Sequence, residues 1–290
     1  MSLMSLKRFL EVPVVSRQFA ALFPKPGFML KKEILAAPRT KNYSLVGTAF
    51  DYLLRFLLER VYPGAVTTRW VAEKVIRESG TRTVMLYDAA LWDETVRDLL
   101  SKARMNHSQF LKTGVIGDDL IRGALHLAQL DPVARGVSSI EEVHLGLTSK
   151  DDVDDLRRLL ERVDMDTLQA KEICVLNPVF GKASQMVGVA GDADILLDDI
   201  LLEVKTIQKL ALRRDHFHQL IGYYLLACIG GVDGLETKPG IMRLGIYFSR
   251  HAELFTFPVS EVIKKRDLQR TLEWFEALIE RQYPQKSPIA

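Results

Sequence analysis

Hydrophobic positions recur with a helical period in the first half of the chain and as short apolar runs in the second half. From Gly47 to about Tyr62 the apolar residues are spaced by three and four, which predicts an amphipathic helix. Pro63-Gly64 is a stop signal at its end. Residues 65–165 are predicted to be mostly helical. The candidate helices in this segment are 66–79, 89–105, 107–113, 116–129 and 151–163.

The second half of the chain alternates short apolar segments with longer helical patterns. Strands are predicted over 171–177, 193–197, 200–206, 242–249 and 253–257. Helices are predicted over 213–229 and about 259–282. This order predicts an α/β fold in which a mixed central sheet is flanked by helices and carries a helical insertion.

Composition and charge change this picture mainly at the N-terminus. The chain of 290 residues is 48% apolar and 26% charged, as in ordinary folded proteins, and no apolar run is long enough to span a bilayer. We therefore expect a cytoplasmic protein that contacts no membrane. The first 45 residues contain four prolines and are predicted to be irregular. Their eight Lys or Arg against two acids make a basic arm that suits phosphates, or alternatively a solvated surface.

One short segment concentrates residues that can bind a metal. Asp198-Asp199 separates two apolar runs as a hairpin loop of two residues would, and this register places Asp194 opposite Glu203. Opposed side chains have Cβ atoms about 5 Å apart, so like charges repel. A divalent cation between the carboxylates would offset the repulsion, and oxygen ligands suit Mg²⁺ or Mn²⁺. Strand alternation adds Lys205 to the face of Glu203, and the backbone carbonyl of Val204 is a further candidate ligand.

Two carboxylates and a lysine on one patch of sheet suit metal-assisted hydrolysis of a phosphodiester. The cation would lower the pKa of a bound water and neutralise charge on the phosphate. Lys205 would orient that water or stabilise the charge that develops at phosphorus. The alternative is that Glu203 and Lys205 form an exposed pair on an edge strand. The apolar residues around them, 200–202 and Val204, argue against this because they predict burial on both faces.

These residues resemble the signature of the PD-(D/E)XK nuclease superfamily, which is an acid on one strand followed by acid-x-Lys on the next. Here the acid is Asp194 and the second element is Glu203-Val204-Lys205, while Ala193 stands where the motif has proline. The RecB-like and λ-exonuclease-like branches often add Gln-x-x-x-Tyr on the following helix. Gln219 and Tyr223 fit that spacing and share a helix face.

The same branches place Glu or His four residues after a glycine in an upstream helix. Asp51 follows Gly47 at that distance and is a candidate metal ligand, although it is shorter than Glu. Glu59, two turns further along the helix, is the substitute candidate.

Basic and turn residues surround the motif. Lys209, Arg213 and Arg214 follow the predicted catalytic strand and are candidates for contacts to a nucleic-acid backbone. Asp192 and Asp198 are interpreted as turn residues.

The resemblance covers about 44–62 and 170–250. It implies a restriction-endonuclease-like core formed by residues 46–64 and 166–290. Residues 65–165 would be a helical insertion that clamps or gates the substrate, and residues 1–45 the basic N-terminal arm.

The resemblance implies a Mg²⁺- or Mn²⁺-dependent deoxyribonuclease, exonuclease-like, in DNA repair, recombination or phage defence. Asp194, Glu203, Lys205, Gln219 and Tyr223 would be its catalytic residues. Endonuclease activity and RNA as substrate stay open, and so does the oligomeric state, although ring-forming and dimeric relatives are compatible with a homo-oligomer. Two cysteines cannot hold the iron–sulfur cluster of some relatives.

Two other classes of protein remain as alternatives. One is a catalytically silent nucleic-acid-binding or scaffold module on the same fold. The other is a metal protein that is not a nuclease and whose insertion recruits a partner. The clustered carboxylates argue against the silent module, since such a module has no need to retain them.

Overall fold

The structure is a computed structural model that describes residues 3–79, 89–138 and 144–284. Parts of the predicted helical segment 65–165, namely residues 80–88 and 139–143, lie outside the described residues. The helices are α1 (Leu6–Glu11), α2 (Pro13–Leu22), α3 (Tyr43–Val61), α4 (Lys74–Ser79), α5 (Ala89–Thr113), α6 (Asp118–Ala134), α7 (Lys150–Leu160), α8 (Gly181–Val187), α9 (Arg214–Gly230) and α10 (Leu268–Gln282). The strands are β1 (Met4–Ser5), β2 (Val66–Thr67), β3 (Cys174–Leu176), β4 (Val189–Ala190), β5 (Ile195–Leu197), β6 (Ile200–Lys205), β7 (Arg243–Phe248) and β8 (Glu253–Pro258).

Six of the strands form a mixed sheet in the order β2-β3-β5-β6-β7-β8. The pairs β2–β3 and β6–β7 are parallel, and the other neighbours are antiparallel. β1 and β4 pair separately in parallel. The mixed central sheet of the predicted α/β class is therefore confirmed, while the finer restriction-endonuclease-like assignment stays a prediction.

Hydrophobic clusters cover both faces of the main sheet. Helices α3, α5, α6 and α7 pack on one face, and α1, α2, α8, α9 and α10 pack on the other. Along β6, Leu202 and Val204 belong to the first cluster and Leu201 to the second. Because side chains alternate along a strand, Glu203 and Lys205 point toward the layer that contains α9.

The predicted hairpin and its register are confirmed. β5 pairs with β6 so that Ile195 faces Leu202 and Leu197 faces Ile200. Asp198 has a positive φ of 49°, and its carboxylate accepts hydrogen bonds from the backbone N–H groups of residues 171–173, each at 2.9 Å. Asp198 is thus the turn residue that the sequence predicted, and it fixes the end of the hairpin opposite to the candidate site.

The prediction that residues 1–45 are irregular is wrong for 6–22, which form α1 and α2. Pro13 is the first residue of α2, where its fixed φ suits the first turn and its missing N–H has no cost. Leu6 and Phe19 are fully buried, so this segment packs on the core and is not a free arm. Residues 24–42 contain no helix or strand, as predicted.

Residues 65–165 are mostly helical, as predicted, but they are part of the main core. Residues 66–67 form an edge strand of the main sheet, where a helix was expected. The two helices predicted over 89–113 are one helix, since Asn106-His107-Ser108 contains no Gly or Pro to stop it. The buried side chains of α5, α6 and α7 belong to the same hydrophobic cluster as those of α3 and one face of the sheet.

The C-terminal helix is shorter than predicted. It begins at Leu268, after 3₁₀ turns at 259–261 and 265–267. The short elements α8, β1 and β4 were not predicted from the sequence. Among the described helices, none is both long and apolar enough to cross a membrane.

Candidate active site

Four of the predicted site residues meet where β6 ends. The Lys205 Nζ donates to Glu203 Oε1 at 2.6 Å and to Gln219 Oε1 at 3.4 Å. The Gln219 Nε2 in turn donates to the Tyr223 hydroxyl at 2.6 Å. Gln219 and Tyr223 lie one turn apart on α9, on the helix face that packs over Glu203 and Lys205. The structure thus brings these residues together as the spacing predicted.

Asp194 lies immediately before β5, next in the register after the pair of Ile195 with Leu202. Its Oδ2 accepts a hydrogen bond from the Val204 N–H at 2.6 Å, and its carbonyl accepts one from the Asn177 N–H at 2.8 Å. These two bonds fix the Asp194 carboxylate beside the strand that carries Glu203, as predicted.

The charges of the cluster are energetically coupled. Burial, together with the charge of Glu203, raises the pKa of Asp194 to about 7. Burial also raises the pKa of Glu203, against the lowering effect of Lys205. Burial disfavours the charged form of Lys205, but the charges of Glu203 and Asp194 outweigh it and raise its pKa. The two carboxylates therefore need positive charge nearby, and Lys205 supplies only part of it.

Asp51, rather than Glu59, is the acid that α3 brings to this centre. Burial raises the pKa of Asp51 to about 7, Arg55 opposes the rise, and the charge of Asp194 adds to it. Arg55 Nη2 lies 2.5 Å from Asp51 Oδ2. The carboxylate of Glu59 instead lies 3.1 Å from Nε2 of His107 on α5. Two helical turns, about 12 Å, separate Glu59 from Asp51, so the structure does not bring Glu59 to this centre.

The carboxylates of the cluster fit a divalent cation that takes only part of its ligands from the protein. Among the described residues, no group of three or more His, Cys, Asp or Glu side chains is placed to hold a metal ion. Mg²⁺ at phosphate-processing sites is commonly bound by one or two carboxylates, with waters and substrate oxygens completing its shell. Glu203 Oε2 and Asp51 Oδ1 are buried without a hydrogen-bond partner, which is costly for a carboxylate oxygen unless a cation binds it. Asp194 and Glu203 could therefore hold Mg²⁺ or Mn²⁺, and the Val204 carbonyl stays a predicted ligand.

The predicted nucleic-acid contacts lie on the loop after β6 and at the start of α9. Lys209, Arg213 and Arg214 are exposed. Arg213 forms an ion pair of 2.9 Å with Asp215, so part of its charge is already matched. Their role in binding nucleic acid stays a prediction.

Sequence reasoning missed an arginine that the helical segment 65–165 contributes beside the centre. Arg135, which caps α6, donates through Nη1 and Nη2 to both carboxylate oxygens of Asp192, at 3.1 and 2.8 Å. Asp192 was interpreted as a turn residue, and its carboxylate is instead held in this ion pair. The spacing of Asp131 and Arg135 indicates an ion pair along a helix, but nothing local identifies Asp192 as a partner.

Comparison of the chain with protein-family models, with curated proteins and with solved structures found no match. The fold and site define an α/β protein with a partly buried cluster of acids and one lysine at the end of a central strand. The residues and geometry of this site are therefore the basis for inferring its activity.

Proposed function

We propose that this protein is a Mg²⁺- or Mn²⁺-dependent nuclease that hydrolyses phosphodiester bonds of DNA. The observation that carries the proposal is the Lys205 ammonium group, held 2.6 Å from the Glu203 carboxylate and beside Asp194. The Lys205 side chain keeps 18% of its surface exposed, whereas that of Glu203 keeps 6%. The lysine is therefore more accessible to a substrate than the glutamate with which it is paired.

Asp194 and Glu203 would hold the metal, and Asp51 lies close enough to influence their charge. When bound, the metal supplies a water of lowered pKa and neutralises charge on the phosphate. This role is consistent with the buried and unpaired oxygen of Glu203.

Lys205 acts in this mechanism as a cation and not as a base. The charges of Glu203 and Asp194 raise its pKa, so it stays protonated at neutral pH. A protonated lysine can donate to the attacking water or to a phosphate oxygen and stabilise the charge that develops there. Gln219 accepts from the ammonium while its amide donates to Tyr223, and this chain fixes the direction of the lysine.

A nucleic acid is the class of substrate that the surroundings favour. The exposed Lys209 and Arg214 follow the candidate catalytic strand within the next ten residues. Such side chains contact a phosphate backbone without reading base sequence. A role in DNA repair, recombination or phage defence, and an exonuclease-like mode, follow from the resemblance to RecB-like enzymes.

A catalytically silent nucleic-acid-binding module on the same fold is the second candidate. It is favoured by the lack of a three-ligand metal group among the described side chains. Against it stands the cost of placing the carboxylates of Asp51, Asp194 and Glu203 close together in a partly buried cluster, which a binding module has no reason to bear.

Cleavage of DNA tests the proposal. End-labelled linear DNA and covalently closed circular DNA are incubated with the protein and Mg²⁺, Mn²⁺ or EDTA. We expect metal-dependent degradation of the linear form, because the carboxylates act only through the cation.

A Glu203→Gln protein purified in parallel controls for a contaminating nuclease, since it lacks a metal ligand and should be inactive. Cleavage of linear DNA alone indicates an exonuclease, and nicking of circles indicates an endonuclease. A folded wild-type protein that binds Mn²⁺ but cleaves neither DNA nor RNA would contradict the proposal and favour the silent module.

A further inference from the structure

Arg135 forms a two-point contact with the loop that precedes the candidate metal ligand Asp194. Its Nη1 and Nη2 donate to the two oxygens of Asp192, a geometry that fixes both the position and the plane of the carboxylate. Asp192 is two residues before Asp194 in the chain. The contact therefore restricts the part of the backbone that carries the ligand.

The rest of this loop is joined to the sheet by backbone hydrogen bonds and by the bond that Asp194 Oδ2 accepts from the Val204 N–H. Ala193 N–H donates to the carbonyl of Pro178 at 3.0 Å, and Asn177 N–H donates to the carbonyl of Asp194 at 2.8 Å. These bonds join the loop to the end of β3. Among the side-chain hydrogen bonds of the described residues, only those between Arg135 and Asp192 join this loop to the helical layer of α3 and α6.

The same guanidinium is tied to α3, the helix that carries Asp51. Arg135 Nε donates to Asp131 Oδ2 at 3.4 Å, and Asp131 Oδ1 accepts a hydrogen bond of 2.5 Å from the hydroxyl of Tyr52. Tyr52 is fully buried and is the neighbour of Asp51 in the chain. A continuous chain of side chains thus runs from α3 through α6 to the loop of Asp194.

We infer that Arg135 is a positioning residue of the metal site, an inference that rests on the proposed function. Arg135 sets the distance between the Asp194 loop and α3. Two carboxylates, those of Asp192 and Asp131, already neutralise the charge of Arg135, which disfavours its direct binding of a substrate phosphate. The helical segment is then a structural part of the metal site, in addition to any clamp it forms.

Mn²⁺ affinity tests this inference without depending on catalysis. Calorimetric titration with Mn²⁺ compares the wild type with Arg135→Ala and Arg135→Lys, well below the unfolding temperature of each. We expect Arg135→Ala to weaken Mn²⁺ binding about 10- to 100-fold, the usual effect of losing a group that orients a metal ligand. Arg135→Lys should recover part of the affinity, because one ammonium cannot hold both oxygens of Asp192.

Arg157→Ala is the matched control, since it removes another ion pair between an arginine and an aspartate, Asp118, in the same helical layer. Its Mn²⁺ affinity should stay within about twofold of the wild type. In cleavage assays Arg135→Ala should lower kcat more than it raises KM for DNA, since Arg135 contacts the loop and not the substrate.

The outcomes separate this inference from the proposed function. If the wild type binds Mn²⁺ and the folded Arg135→Ala and Asp192→Asn proteins bind it equally well, the positioning role is wrong while the nuclease proposal stands. If the wild type itself binds no Mn²⁺, the proposed function fails and this inference fails with it. The double variant Arg135→Ala, Asp192→Asn should bind Mn²⁺ about as tightly as the weaker of the two single variants. Additive losses of affinity would contradict a contact shared by the two residues.

Discussion

Replacing Lys205 with methionine is expected to lower the DNA cleavage rate about 100- to 1,000-fold, the usual effect of removing one donor that stabilises developing charge. Methionine keeps most of the aliphatic volume and removes the ammonium group. KM for DNA should change little, because the interaction strengthens in the transition state. Single-turnover cleavage at saturating Mn²⁺ measures the effect.

Lys171→Ala is the matched control for this variant. Lys171 is exposed and lies at the turn of the same hairpin, where its N–H donates to Asp198 at the end away from Lys205. Its removal should leave the rate unchanged. If Lys205→Met cleaves as fast as Lys171→Ala, the reaction takes place at another site or the lysine has no part in it.

Replacing Asp194 with asparagine is expected to stabilise the protein in EDTA while it abolishes cleavage. Burial raises the pKa of Asp194 from 3.8 to about 7, so its ionised form costs the native state free energy above neutral pH. A rise of that size corresponds to roughly 4 kcal/mol. We expect the asparagine variant to gain about 1–4 kcal/mol in the free energy of unfolding near pH 8, because Asn still accepts from the Val204 N–H.

The pH dependence gives the sign of this effect a separate check. Between pH 3.8 and about 7 the native protein binds a proton on Asp194 that the unfolded chain has released, so its stability falls as the pH rises. The advantage of Asp194→Asn should therefore shrink as the pH is lowered toward about 4. Urea unfolding at several pH values, with EDTA present, measures it.

Asp192→Asn should have the opposite effect and serves as the control. Burial opposes ionisation of Asp192, but the hydrogen bonds and charge of Arg135 outweigh it and hold the pKa below its usual value. Neutralising Asp192 should therefore destabilise the protein near pH 8, about as much as loss of a partly buried ion pair does. If Asp194→Asn is also destabilising in EDTA, then the ionised carboxylate of Asp194 does not cost the native state free energy, and this prediction is wrong.

The parts of the site that the sequence predicts are those fixed by local geometry. The Asp198-Asp199 turn and the alternation of side chains determine the register of β5 with β6, and this register leads from Asp194 to Glu203. The spacing of Gln219 and Tyr223 places both on one face of α9 in the same way. Each of these relations spans ten residues or fewer, so pattern and turn chemistry suffice.

The parts that it does not predict depend on contacts between distant segments. Arg135 and Asp192 are 57 positions apart, and no local pattern relates them. The N-terminal helices form because they pack on α9, where a Cβ on Gly222 would lie 2.8 Å from a methyl carbon of Leu6. Proline spacing in that segment predicted irregular chain, and tertiary packing overrode it.

The position of a bound Mn²⁺ ion tests whether Asp194 and Glu203 form a metal site. A crystal of the wild-type protein soaked in Mn²⁺ is measured at a wavelength where manganese scatters anomalously. We expect an anomalous peak roughly 2 Å from carboxylate oxygens of both Asp194 and Glu203, with Lys205 beside it. If the peak contacts neither carboxylate, or if the accessible site holds no manganese at saturating concentration, then these residues do not form the metal site.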